Sequence, residues 1–121
     1  MKTQEEDYVR VAKLVRIVDG DTLDLDVDLG FYTYQRVRVR LNGINTPEIY
    51  GVKKGSTEYT AGLVASDATK EWFDVHAPDG HVLVQTYKTG KFGRWLADVR
   101  DLDTDNHLNE HLDALGYGIE E

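Results

Sequence analysis

The sequence predicts an α+β fold in which five short strands close into a small barrel, with one helix between strands 3 and 4 and a short C-terminal helix. Apolar and polar residues alternate along three consecutive stretches, which is typical of half-buried strands. A helical pattern, two more strand patterns and a second helical pattern follow. Because a closed barrel removes exposed strand edges, we expect an OB-fold Greek-key barrel forming one domain over residues 1–121.

The first three strands are expected at residues 8–18, 22–29 and 32–41. Strand 1 carries apolar residues at odd positions: Val9, Val11, Val15 and Ile17. Strand 2 alternates Leu23, Leu25, Val27 and Leu29 with Asp24, Asp26 and Asp28. Strand 3 alternates Val37, Val39 and Leu41 with Arg36, Arg38 and Arg40. Gly30 lies at the connection, so strands 2 and 3 should form an antiparallel hairpin whose Asp and Arg rows pair on the outer face.

The rest of the chain predicts a helix, two strands and a short helix. Apolar spacing marks the first helix at Ala61, Val64, Ala65, Ala68 and Trp72, with Ser56 or Thr57 as its N-cap. A turn at residues 77–80 leads to strand 4 at residues 81–87, a hairpin loop at 89–93 and strand 5 at 95–99. Leu108, Leu112 and Leu115 mark the second helix, which Gly116 ends. Trp72 and Trp95 are expected to pack in the core or against the barrel.

The charge of the chain is unusual for a nucleic-acid binder. The formal net charge is −8 and the pI about 4.9, whereas phosphate contacts usually draw on an excess of Lys and Arg. Residues 31–55, however, hold five Lys and Arg against one Glu. We therefore expect a locally positive site on an acidic body, with weak steering of nucleic acid and salt-sensitive affinity.

Chain length, cysteine content and apolar content exclude a disulfide-stabilised protein and a membrane-spanning protein. A chain of 121 residues can build one core without a disulfide framework, and it has no cysteine. No apolar run is long enough to cross a bilayer, so we expect no membrane partner. The start of the chain shows no secretory signal, which predicts a cytoplasmic protein unless the chain is a trimmed mature form. We expect a monomer.

Four separated fragments carry the chemistry: residues 19–22 (Asp-Gly-Asp-Thr), Arg40, residues 45–48 (Asn-Thr-Pro-Glu) and residues 91–94 (Lys-Phe-Gly-Arg). Carboxylate, amide and carbonyl oxygens suit a hard cation. Arginine binds two phosphate oxygens with its planar fork and stays protonated, while a glutamate can act on water. Together they fit hydrolysis of a phosphodiester.

Each fragment also has a simpler structural interpretation. Asp-Gly is a common turn pair, but Asp21 continues the inward row of Leu23 and Leu25, so its carboxylate should need a partner or a metal. Arg40 ends strand 3, so we expect it to approach Asn45. Pro47 restricts the residue before it to extended backbone, which should fix the directions of the neighbouring groups.

Two other patterns are weaker. Asp101, Asp103 and Asp105 resemble the start of a calcium loop, but the glycine and the closing glutamate are missing, so a solvated connection is favoured. His107 and His111 are one helical turn apart without a properly placed glutamate or a third ligand, which favours a solvated helix face over a zinc site.

Over nearly its whole length the chain resembles the staphylococcal nuclease (thermonuclease) family. The motifs follow in the family's order: Asp-Gly-Asp-Thr, an Arg five residues before Asn-Thr-Pro-Glu, Lys-Lys-Gly, Lys-Phe-Gly-Arg and Leu-Asn-Glu. The resemblance implies an OB-fold endonuclease that uses one calcium ion to hydrolyse DNA and RNA. It implies cleavage of single-stranded or locally opened substrate with little sequence specificity, leaving 3′-phosphate ends.

Residue roles follow from the same resemblance. It implies three calcium ligands, namely Asp21, the side chain of Asn45 and the carbonyl of Thr46. It implies three catalytic residues: Glu48, which orients or deprotonates the attacking water, and Arg40 and Arg94, which neutralise the transition state. Asp19 would lie behind the ligands. Substrate phosphates would be contacted by Lys53, Lys54 and Lys91.

Two departures from the family pattern keep alternatives open. Asn45 stands where the family usually has aspartate, which predicts weaker calcium binding and altered ion preference. The sequence after Gly116 lacks the tyrosines and third helix of the family's best-known member, which predicts lower nucleotide affinity and stability. The alternatives are a catalytically weak or inactive module that binds nucleic acid or a protein partner, and a nuclease that needs a partner or concentrated ions.

Overall fold

Five strands close into a barrel in the computed structural model, which describes residues 9–49, 53–88 and 95–119. The strands are β1 (Val9–Asp19), β2 (Thr22–Gly30), β3 (Thr33–Leu41), β4 (His81–Lys88) and β5 (Trp95–Arg100). Their order around the barrel is β1-β2-β3-β5-β4, and β4 pairs with β1 to close it. All pairs are antiparallel except β3 with β5. The predicted fold class is confirmed.

Two helices lie where the sequence predicts them. Helix α1 (Thr57–His76) connects β3 and β4, and α2 (Leu108–Leu112) continues into a π-helical turn, Asp113–Tyr117. Ser56 is the N-cap of α1, and its hydroxyl accepts a hydrogen bond from the Tyr59 amide at 3.1 Å. None of the helices in the described ranges combines the length and the apolar composition needed to span a bilayer.

The core lies inside the barrel and beneath both helices. The inward residues are buried over most of β2 and in the second half of β3, as are the residues that α1 and α2 place against the barrel. The core includes Leu23, Leu25, Val39, Leu41, Trp72, Phe73, Val84, Val99, Leu108 and Leu112. The rings of Trp72 and Phe73 meet edge to face, with centroids 5.2 Å apart. This core holds the β1–β2 turn and the end of β3 against each other.

The expected apolar face of β1 is wrong at Val11 and Val15, whereas Ile17 packs against the core as predicted. Val11 and Val15 are 39% and 42% exposed, whereas Ala12 and Val18 are buried. The pairing of β1 with β2 shifts register twice, after Leu14 and after Ile17. Because an extra residue in a strand reverses which side chains face inward, simple alternation fails there.

The Asp and Arg rows of the β2–β3 hairpin pair as predicted. Arg38 faces Asp24 and Arg36 faces Asp26, with Nε to Oδ1 distances of 2.8 and 2.6 Å. These hydrogen bonds lower the pKa of both carboxyl groups. Since the arginines are exposed, the pairs contribute little to stability.

The loop after β5 is more ordered than predicted, and the expectation of a fully solvated connection is wrong at Asp101. This residue is 3% exposed and accepts hydrogen bonds from the backbone amides of Thr104 and Asn106 and from the Thr104 hydroxyl. Asp103 and Asp105 are exposed, as expected. Desolvation of Asp101 favours the neutral acid, but the hydrogen bonds outweigh it and lower its pKa from 3.8 to about 2.

This loop should make stability depend on pH in the acid range. A carboxyl whose pKa is depressed in the folded state stabilises fully above its unfolded pKa, and the contribution disappears as pH falls through the folded pKa. Between pH 4 and pH 2 the wild type should therefore lose up to about 2 kcal/mol more free energy of unfolding than Asp101→Asn. Urea unfolding at several pH values measures both slopes, and equal slopes would contradict this assignment.

Candidate functional site

Three of the four chemical fragments meet at one end of the barrel, and the fourth, residues 91–94, lies outside the described residues. They line a cleft of about 370 Å³. Its lining residues are Asp19, Asp21, Thr22, Arg38, Val39, Arg40, Asn45, Thr46, Glu48 and Trp95. The β1–β2 turn, the end of β3 and the loop after β3 supply most of this set.

Asp21 is the buried carboxylate of the cleft. It is 5% exposed, because it continues the inward row that buries Leu23. Its Oδ1 accepts a hydrogen bond from the Thr22 hydroxyl at 3.0 Å, and its Oδ2 accepts one from the Thr46 amide at 3.2 Å. An ionised carboxylate has about four acceptor positions, so these bonds leave Asp21 able to bind a further cation. The predicted inward orientation is confirmed.

Arg40 links Asp21 with Asn45. It faces Thr22 across the hairpin, so its guanidinium reaches the turn that carries Asp21. Its Nη2 donates to Asn45 Oδ1 at 2.8 Å, and its Nε lies 3.5 Å from Asp21 Oδ2. The guanidinium therefore contacts the two side chains that the sequence predicts as metal ligands. The expected approach of Arg40 to Asn45 is confirmed.

The loop that carries Asn45 and Thr46 is held by the C-terminal segment. The backbone amide of Asn45 donates to the Tyr117 carbonyl at 2.9 Å. The backbone amide of Ile119 donates to the Gly43 carbonyl at 2.8 Å. Thr46 is 5% exposed, and its hydroxyl oxygen is buried with no hydrogen-bond partner among the described residues. A buried polar atom without a partner is costly, and an ion or water bound beside Thr46 would remove this cost.

Glu48 is exposed at the cleft and is positioned through its backbone. The next amide, of Ile49, donates to Asp19 Oδ1 at 2.9 Å. On the other side, Gly62 of α1 lies against Glu48, so that a Cβ at position 62 would be 2.6 Å from the Glu48 carbonyl oxygen. Asp19 and Gly62 thus fix the backbone direction at Glu48, and Asp19 supports this position from the cleft wall.

Gly62→Ala should therefore be harmful, although alanine is normally about 1 kcal/mol better than glycine in a helix. The added methyl group would push α1 and Glu48 apart, so we expect lower stability together with a change in the cleft. Denaturant unfolding and the activity assay described below measure the two effects. Leu63→Ala, at the neighbouring exposed position, is the control. A Gly62→Ala protein more stable than wild type would contradict the contact.

Of the other residues predicted to act on substrate, the two that the structure describes do not line the cleft. Lys53 and Lys54 are exposed in the turn before α1, and the structure does not bring them to the cleft wall. Lys91 and Arg94 lie outside the described residues. Their assignments stay predictions.

Trp95 was not predicted as part of the site. It is 36% exposed and lines the cleft, so of the two expected positions it lies on the barrel and not in the core. Arg38 also lines the cleft, while its guanidinium pairs with Asp24. One feature of the sequence could have placed Trp95 at the site. It directly follows the Lys-Phe-Gly-Arg fragment, whose Lys and Arg were already predicted to contact phosphate.

The donor set fits a hard cation in chemical type. The side chains of Asp21 and Asn45 and the backbone of Thr46 offer only oxygen, which calcium prefers. Within the described ranges no three acidic or histidine side chains converge as a ready metal site. Binding would therefore depend on one carboxylate assisted by neutral oxygens, and the positive Arg40 beside them would oppose it.

The fold and the cleft together define a small OB-fold barrel with acidic and basic groups converging at one end. No family model matches the chain. Its sequence is similar to that of the uncharacterized protein MJ1439 of Methanocaldococcus jannaschii, with 28% identity over 129 aligned residues. The alignment covers 88% of this chain and 56% of that protein, so the chain spans little more than half of its relative's length.

Proposed function

We propose that this protein is a calcium-dependent nuclease of the staphylococcal nuclease type. It would hydrolyse phosphodiester bonds in DNA and RNA and leave 3′-phosphate ends. One observation carries the proposal: two hydrogen bonds and one ion pair join Asp21, Arg40, Asn45 and Thr46, and Glu48 lines the same cleft. Sequence preference should be slight, because these groups suit phosphates and not base edges.

Each residue would have a distinct role. Asp21, the Asn45 side chain and the Thr46 carbonyl would hold calcium. When bound, calcium would supply positive charge next to the phosphate undergoing attack. Glu48 is exposed to water and would orient it or remove its proton. Arg40 would donate to two phosphate oxygens as their negative charge grows.

The remaining roles rest on the resemblance. Arg94 would neutralise charge beside the leaving oxygen, and Lys53, Lys54 and Lys91 would contact substrate phosphates. Asp19 would act indirectly, because its carboxylate accepts from the Ile49 amide and so positions Glu48.

The direct test is digestion of end-labelled single-stranded DNA and RNA with calcium and with a chelator. We expect cleavage only with calcium, and products with 3′-phosphate ends. Glu48→Gln, which keeps the size of the side chain but removes the base, should lose most of the activity. Cleavage that continues in chelator, or no cleavage at any calcium concentration, would overturn the proposal.

A second function is favoured by one contact. Asn45 is neutral, and its oxygen already accepts a hydrogen bond from Arg40 without an added ion. A catalytically inactive module that binds nucleic acid or a protein partner would have these properties. Such a module would cleave neither DNA nor RNA, and one that binds nucleic acid would bind oligonucleotides equally well with calcium and with chelator.

A further inference from the structure

A second cleft lies next to the candidate site along β3. It has a volume of about 190 Å³. Its lining residues are Arg10, Val27, Leu29, Gln35, Val37, Thr86 and Trp95. Trp95 lines both clefts. On β3, Val39 lines the first cleft and Val37, two residues before it, lines the second. The two clefts therefore adjoin each other, with Trp95 as their shared wall.

The second cleft has mostly apolar walls. Val27, Leu29, Val37 and Trp95 give it flat apolar surface, and Leu29 is 46% exposed. Arg10 also lines this cleft, and Arg40 lines the adjoining first cleft. Flat apolar walls beside the candidate phosphate site suit a ligand that joins apolar rings to a phosphate.

An aromatic turn lies beyond the far end of this cleft. Phe31 and Tyr32 connect β2 to β3, two residues after Leu29, and they are 98% and 97% exposed. Both have positive φ, 54° and 59°, as in a type I′ hairpin turn, for which Asn-Gly is the favoured pair. Large aromatic residues are strained in this conformation, and strain that persists at an exposed position indicates a use for these side chains.

We propose that the second cleft and the Phe31–Tyr32 turn bind unpaired bases of a nucleic-acid strand. This inference rests on the proposed function, because it places the scissile phosphate of that strand in the first cleft. Aromatic rings stack on any base, which gives affinity without sequence preference. In a duplex the bases already stack on one another, so the surface selects single-stranded or opened substrate.

The length of the surface gives its footprint. Trp95 of β5 is paired with Val39 of β3. Strand β3 begins six residues before Val39, at Thr33, which directly follows the Phe31–Tyr32 turn. At about 3.3 Å per residue this is about 20 Å. OB-fold proteins bind about 4 nucleotides or more on a surface of this kind. A dinucleotide should therefore reach only the Trp95 end, whereas an octanucleotide should reach the turn.

Tryptophan fluorescence tests the inference without cleavage. The chain has two tryptophans, and Trp72 is 3% exposed, so quenching by a ligand reports on Trp95. We would titrate the protein in chelator with oligothymidylates of two, four and eight nucleotides, and with an octamer whose bases are replaced by abasic residues. We expect the octamer to quench Trp95 and to bind at least about tenfold more tightly than the abasic octamer.

The turn is tested by the double substitution Phe31→Asn with Tyr32→Gly. This variant should unfold at higher denaturant concentration than wild type, because the new pair suits the turn. It should nevertheless bind the octamer about fivefold or more weakly, with dinucleotide binding unchanged. Trp95→Phe should keep more octamer affinity than Trp95→Ala. Arg36→Ala, whose pair with Asp26 lies outside both clefts, is the control.

The outcomes separate this inference from the proposed function. Equal affinity for normal and abasic octamers, or an unchanged octamer affinity in the double variant, would overturn the inference even if wild type cleaves DNA. Base-dependent binding without calcium-dependent cleavage would support the inference and refute the nuclease. Quenching by neither octamer would overturn the inference, and the second cleft would then be assigned to a partner other than nucleic acid.

Discussion

Arg40→Ala should lower the rate of single-stranded DNA hydrolysis by about 10²–10³-fold, the usual effect of removing one transition-state donor. The expectation follows from position, since Arg40 is within 2.8 Å of Asn45 Oδ1 and 3.5 Å of Asp21 Oδ2. Lysine should not replace it, because an ammonium group lacks the planar fork. Initial rates at saturating substrate measure the effect.

Arg36→Ala is the matched control, because it removes the same group from the same face of β3. Arg36 pairs with Asp26 and does not line the cleft. Its removal should change the rate less than about twofold, since an exposed ion pair contributes little. Arg40→Ala should also bind calcium at least as well as wild type, because a neighbouring positive charge is gone. Equal rate losses in both variants would contradict a specific role for Arg40.

Asn109→Ala should have the largest effect on stability, a loss of about 3 kcal/mol, because each buried group left without its partner costs about 1–3 kcal/mol. The side chain joins three segments. Its Oδ1 accepts from the Val99 amide, and its Nδ2 donates to the carbonyls of Asn42 and Ala97, all at 3.0 Å. It thereby fixes α2 to β5 and to the residues that lead into the cleft loop.

Glu110→Ala is the control for Asn109. Glu110 is exposed on the same helix, and its removal should cost less than about 1 kcal/mol, the usual effect of one acidic residue in a first helical turn. Urea unfolding of both variants gives the comparison. A similar small loss in both would show that the Asn109 network does not hold the barrel end together.

The barrel was predictable in the strands where side chains alternate regularly between the core and the solvent. In β2 and β3 alternation holds through Leu23, Leu25 and Val39, so the hairpin and its ion pairs followed directly. The same rule placed Asp21 inward and brought Arg40 to Asn45. These parts of the site depend on the alternation of side chains within single strands, which can be seen in the sequence.

Other features depend on contacts between distant segments. The register shifts of β1 arise where it meets β2, so Val11 and Val15 point outward despite their apolar character. Asp101 is buried because the loop folds over it. Trp95 belongs to the cleft because β5 pairs with β3 in parallel. No local pattern displays these long-range partners.

Calcium titration by calorimetry of wild type, Asn45→Asp and Asp21→Ala tests the proposed site most directly. We expect wild type to bind one ion weakly, Asn45→Asp to bind it at least about tenfold more tightly because a carboxylate replaces an amide, and Asp21→Ala to bind none. Calcium binding that is absent from both wild type and Asn45→Asp, or that is the same in all three proteins, would contradict the site.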